Sequence, residues 1–239
     1  MRGRYIDFIS SYCDGWCERC AFTNRCSVYA VQIALEMCDG NEEEAIQLAV
    51  GPPPPRSAAE AKRRERWAEE MASIVPSEQE LAEFEREEEA CDDRVAESPV
   101  TTASERAWLL SHRWLRDHAE RVATGASAAL AEAIEVASHD CFFIHAKVHR
   151  ALSGHDRAIH GLEDGHRIQN DWNGSAKVAL ISITRSTTAW DLIADVSRDA
   201  DAAQVAGELR TLQRHVESAF PNAWKFRRPG FDARLRKFR

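Results

Sequence analysis

The chain has little glycine, eleven among 239 residues, and no long apolar run. Each lack excludes something. A secretory signal needs a continuous apolar segment, and the opening MRGRYIDFISSYCDGWCERC has none. A membrane helix needs roughly 20 apolar residues. The best run, Val178 to Ile183, is short and broken by Ser182. The sequence therefore reads as cytoplasmic, with no membrane segment. A glycine-rich phosphate loop and a serine nucleophile elbow are also missing.

Alanine, glutamate, arginine and leucine dominate instead, a mix that favours helix over sheet. The net charge of −8 argues against a chain that binds nucleic acid by charge alone. Its distribution is uneven. Between Glu60 and Glu97, 14 acidic and 6 basic residues leave a balance of −8. From Trp224 to Arg239, seven Lys or Arg against one Asp leave +6.

Punctuation divides the chain. Residues 1–50 form a cysteine-rich module with a helix over 27–37 and a second capped by Asn41. Four prolines make 51–56 an extended linker. Residues 57–222 read as a bundle of five or six helices: 57–75, 77–97, 102–125, 127–153, 175–196 and 201–220, with a polar loop at 155–173. Residues 223–239 are a basic, aromatic tail. The expected fold is mainly α, a small metal-binding module followed by a helical bundle.

The chemistry concentrates in four of seven cysteines, Cys13, Cys17, Cys20 and Cys26, within 14 residues. Crowded cysteines in a reducing compartment read as metal ligands rather than a disulfide framework. Thiolates suit zinc or an iron–sulfur cluster. Tetrahedral zinc usually draws its sulfurs from two knuckles well apart in sequence. A cuboidal 4Fe-4S cluster takes one thiolate at each of four corners, and a compact loop with unequal spacings can wrap it. The cluster is the first expectation and zinc the alternative. Trp16 and Phe22 would shield the metal from water. In a module this small, the metal would also act as a folding staple.

Two local resemblances bear on this segment. Cys13-x3-Cys17-x2-Cys20 is similar to the radical-SAM cysteine triad. That family leaves one iron open, whereas Cys26 offers a fourth ligand here, and the chain lacks the family's alternating strands and helices. Cys17-x2-Cys20-x5-Cys26, with Phe22, resembles the cluster loop of iron–sulfur PD-(D/E)xK nucleases. This second resemblance implies the cofactor. The nuclease core's carboxylates and lysine have no counterpart in the chain.

Polar residues on core stripes suggest a second site. Helical spacing sets Glu88 among Leu81, Phe84, Cys91 and Val95, and His118 among Trp108, Ser111, Leu115 and Val122. His145 and Asp140 edge the Leu130-to-Val148 stripe, and Glu208 and His215 share one face. Glu88, His118, His145, Glu208 and His215 are the candidate ligands, since bundles build metal sites from inward Glu and His. The chain has no pair of Glu-x-x-His motifs, so hydrogen-bonded core residues are the competing reading. Glu135 and His139 read as an exposed or interface pair. Cys91 and Cys141 read as core thiols. His155, His160 and His166 fall in the polar loop.

The functional expectation is a metalloprotein whose cluster passes electrons to the inner Glu/His site, with an unidentified redox or protein partner. The alternatives are a non-enzymatic interaction scaffold with a structural metal, forming a homo-oligomer, and a nucleic-acid factor using the tail's interleaved cations and rings. The tail could equally dock on the acidic 60–97 region.

Overall fold

A computed structural model of the protein describes residues 4–51, 57–73, 76–162 and 165–232. The expected linker at 51–56 lies outside the described residues apart from Gly51, as do residues 233–239 of the tail. Helix accounts for 78% of the structure, with eight α-helices and no strand among the described residues. The mainly α class therefore holds. No described helix is long and apolar enough to cross a membrane.

The contacts divide the chain into two compact units. Unit 1 takes Met1–Ile6 and Cys20–Ala90; unit 2 takes Asp7–Arg19 and Cys91–Arg239.

In unit 1, α1 (Ser27–Met37) and α2 (Glu42–Val50) pack as a short helical hairpin. The Asn41 side chain accepts the Glu44 N–H at 3.2 Å and starts α2. Ala34, Ala45 and Ala49 form a small core, with Val31, Leu35 and Cys38 packed against it. α3 (Ala58–Ser73) and α4 (Glu78–Ala96) follow, with α4 passing into unit 2 at Cys91. Each begins with a reciprocal capping box. Ser57 and Glu60 exchange bonds of 3.2 Å at α3, and Ser77 and Glu80 do so at 2.8 and 3.2 Å at α4. Leu81 and Phe84, expected to face inward, are exposed, and burial on α4 begins only at Cys91 and Val95. Spacing alone marks a stripe; it does not supply the surface that would cover it.

Unit 2 is an antiparallel four-helix bundle of α5 (Pro99–Ala123), α6 (Ala128–Ile159), α7 (Asp171–Ser197) and α8 (Ala200–Ala219). Each helix packs on its neighbours in order, and α8 closes the ring on α5. Side chains show the directions. Ser104 meets His145 while Cys141 meets Trp108; Arg185 meets Asp140 while Arg150 meets Asp171. Partner numbers rise on one helix as they fall on the next. All six helices expected between residues 57 and 222 form, as α3 to α8, and the last four make the bundle of unit 2.

N-caps set the helix starts. Ser98, Ser127, Asn170 and Asp199 each accept a first-turn N–H. Two expected boundaries move. Pro99 does not stop the preceding helix alone; it is the first residue of α5, where its missing N–H costs nothing. α6 runs through the buried Gly154 to Ile159 rather than ending there.

Trp190, Leu180, Ile183, Ile193, Leu212 and Val148 fill the core. Trp114 meets Trp190 edge to face at 5.1 Å. α7 is buried around most of its circumference, with Ser175, Ala176, Ala179, Ser182 and Ser186 letting its neighbours come close. Gly174 is required by one such approach, since a Cβ there would fall 2.3 Å from the Tyr12 ring.

Past α8 the chain returns along α7. Phe226 is buried and meets Tyr12 at 4.7 Å. Lys177 donates to the Phe226 carbonyl at 2.6 Å and to Asp232 at 2.7 Å. The described part of the basic tail is therefore held within unit 2.

Candidate metal-binding segment and its anchorage

The segment carrying the four cysteines has no α-helix. Single 3-10 turns at Ser10–Tyr12, Cys17–Arg19 and Thr23–Arg25 redirect the backbone between them. Gly15 sits at φ +72°, a conformation that favours glycine. All seven cysteines are free of disulfides, and the four in this segment are half-buried.

Residues 7–19 are fastened to α6 and α7 by a charged and aromatic cluster. Trp16, between Cys13 and Cys17, is buried and stacks on His139 at 4.3 Å with the rings 7° from parallel. The Arg19 guanidinium lies 3.9 Å from the same ring and donates to Glu132 at 3.0 Å and Glu135 at 2.6 Å. Asp14 accepts from Arg185 at 2.6 Å. Arg185 also donates twice to Asp140, whose side chain is wholly buried. Lys147 donates to the Ser11 carbonyl at 3.2 Å. Burial lowers the pKa of its ammonium, while the nearby Cys13 sulfur opposes that shift. The Cys13 thiol donates to the Ser10 carbonyl at 3.3 Å.

On the unit 1 side, the Phe22 N–H donates to Cys20 Sγ at 3.4 Å. An amide aimed at sulfur is one of the levers by which proteins tune thiolate-bound clusters. Cys26 closes the last 3-10 turn and precedes α1.

Cys13 and Cys17 thus belong to one compact unit, and Cys20 and Cys26 to the other. Among the described residues, no group of three or more His, Cys, Asp or Glu side chains is placed to hold a metal ion. Trp16 anchors residues 7–19 through His139 and Arg19.

The candidate inner site does not gather either. Glu88 is half-buried in unit 1. In unit 2, Arg121 donates to His118 at 2.9 Å, and Arg106 pairs with Glu208 at 2.9 Å. His145 bonds Ser104 at 2.9 Å and stacks on Trp108 at 5.5 Å. His215 is half-buried on α8. A cavity of about 10 Å³ beside His145, Cys141, Ser111 and Ser186 is about the size of one water. It has no room for a coordinated metal and its ligands. His118, Glu208 and His145 are each satisfied by a separate partner.

Glu135 and His139 do form an interface, with Arg19 and Trp16. Of the loop histidines, His166 accepts the Ile168 and Gln169 N–H groups, and His160 Nδ1 lies 2.8 Å from the Asp156 carbonyl. Arg185 was not among the sequence candidates. Its signal was available: it is the one charged residue between Val178 and Trp190. No family model, curated protein or solved structure matches this chain.

Proposed function

We propose that the chain is a cytoplasmic metalloprotein in which Cys13, Cys17, Cys20 and Cys26 hold one metal centre, a 4Fe-4S cluster or alternatively a zinc ion. The spacing of four thiols within 14 residues carries this reading. The Phe22 amide at Cys20 and the absence of α-helix from residues 13–26 support it. The bundle acts as the rigid body to which the first two ligands are tied through Trp16 and Arg185. The centre would supply either electron exchange with a partner or a fixed link between flanking segments. Among the described residues, the inner Glu and His residues form no group placed to hold a metal ion.

Metal and sulfide analysis of protein purified without oxygen tests the proposal. Iron with equimolar sulfide, and visible absorption that bleaches on reduction, support the cluster. One zinc per chain supports the alternative. Neither metal in stoichiometric amount, before or after reconstitution, would sink both. Cys20→Ser and Cys26→Ser should each lose the metal.

The second reading is an interaction scaffold with a structural metal. Val28, Met37, Ile46 and Leu48 of the α1–α2 hairpin are exposed, as are Trp67, Leu81 and Phe84 farther along. Large apolar side chains grouped at a surface mark contact with another protein. Light scattering of the metal-loaded protein and of Met37→Asp/Leu48→Asp tests this. A loaded wild type that is monomeric at all concentrations would remove the homo-oligomer.

A further inference from the structure

A cavity of about 380 Å³ opens in unit 2 where α6 ends, α7 begins and α8 ends. That volume falls in the range of small-molecule pockets. Its lining includes His155, Arg167, Trp172, Asn173, Phe220 and Asn222.

Three features specify what would fit. The first is charge. Among the described residues, no carboxylate lines the cavity. The nearby Asp156 is taken by Arg94 at 2.6 and 2.9 Å, and Asp171 by Arg150 at 2.7 and 2.8 Å. Among the described residues, Arg167 makes no ion pair through its side chain. α7 points its N-terminus here, and that helix end favours an anion. α8 ends at the same place, and its last carbonyls oppose a second negative charge.

The second feature is His155. Its ring lies 5.5 Å from that of Phe220 and 6.3 Å from that of Trp172, and among the described residues neither ring nitrogen makes a hydrogen bond. A half-buried imidazole facing a cavity without a partner is a donor in waiting. The third is rigidity. The Trp172 ring lies so close to Gly165 that a Cβ there would fall 2.3 Å from it, which fixes the aromatic wall.

We propose that this cavity binds a small planar monoanion, an aromatic or heteroaromatic carboxylate, with its charge at Arg167 and His155 and its ring beside Trp172 and Phe220. The site is separate from the cysteine segment and does not depend on metal.

Titration of the full chain with benzoate, followed by calorimetry and by the histidine and indole NMR signals, tests the proposal. Benzamide controls for the ring and inorganic phosphate for the charge. Saturable benzoate binding, weaker by roughly tenfold or more in Arg167→Gln, is the expected result, since a charge-assisted contact is lost. Arg167 is exposed, so this variant should melt with the wild type. His155→Gln should weaken binding as well. No saturable benzoate binding would overturn the proposal. So would equal binding of benzamide or phosphate, or benzoate affinity unchanged in both variants.

Discussion

Arg185 of α7 joins Asp140 of α6 to Asp14 of the N-terminal segment. One guanidinium serves both carboxylates, with Nε 3.0 Å from Asp140 and Nη1 2.6 Å from Asp14. Asp140 is wholly buried, whereas Asp14 is 29% exposed. Removing the buried partner should therefore cost far more than removing the exposed one. Asp140→Ala should lower unfolding free energy by about 3 kcal/mol, because it strands a partly buried cation. Asp14→Asn should cost under about 1 kcal/mol. Urea denaturation of both variants is the check. Equal losses would show that Arg185 does not depend on Asp140.

Trp16 is the apolar half of the same attachment. It fills a site against His139, with Arg19 against its ring. Trp16→Ala should cost about 3 kcal/mol by removing that packing. The loss should appear locally before it appears globally. Amide exchange should rise in residues 7–19 and along the Arg19 contacts at Glu132 and Glu135, while the Trp114–Trp190 core stays protected. Uniform exchange across α5 to α8 would mean that the segment is part of the bundle's core.

These attachments were not legible in the sequence, and the reason is physical. Helical periodicity reports which face of a helix is apolar, so α5 to α8 were found nearly where they stand. Periodicity carries no information on what covers a face. Leu81 and Phe84 share the stripe of Cys91 and Val95, yet only the last two are buried. His118 and Glu208 lie beside core positions and are satisfied by arginines on their own or adjoining helices. The four-cysteine pattern was legible because its spacing is local. Asp14, Trp16 and Arg185 were not grouped, because their meeting spans up to 171 positions of sequence.

Acid should destabilise the bundle in two stages. Burial lowers the pKa of His145, opposed by Glu105 and reinforced by His149. Burial likewise lowers His155, opposed by Asp156. A base with a lower pKa when folded takes up its proton more readily when unfolded. Stability is therefore full above the ordinary value of 6.5 and falls as the pH drops below it. Asp156 behaves differently. The Arg94 bond holds its pKa below 3.8, so its contribution is lost only as the pH falls through that lower range. Urea midpoints from about pH 8 to about pH 3 should show two separate declines. His145→Gln should flatten the upper one. An upper decline unchanged in that variant would assign it to other groups.

Thiol reactivity separates the cysteine segment from the remaining cysteines. Burial pushes Cys141 up to about 11 and raises Cys91 as well, so both should resist alkylation near about pH 8. Cys38 is raised by burial and by Glu44 and Asp39, and should react slowly. Cys13, Cys17, Cys20 and Cys26 are half-buried and carry no disulfide, so in metal-free protein they should be alkylated ahead of Cys91 and Cys141. Metal loading should protect those four together and leave Cys38 unchanged, because one centre uses all four sulfurs. Mass spectrometry of peptides after timed alkylation reads each position. Protection confined to Cys20 and Cys26 would reduce the centre to two protein thiolates. Cys13 and Cys17 would then belong only to the segment that Trp16 and Arg185 hold on the bundle.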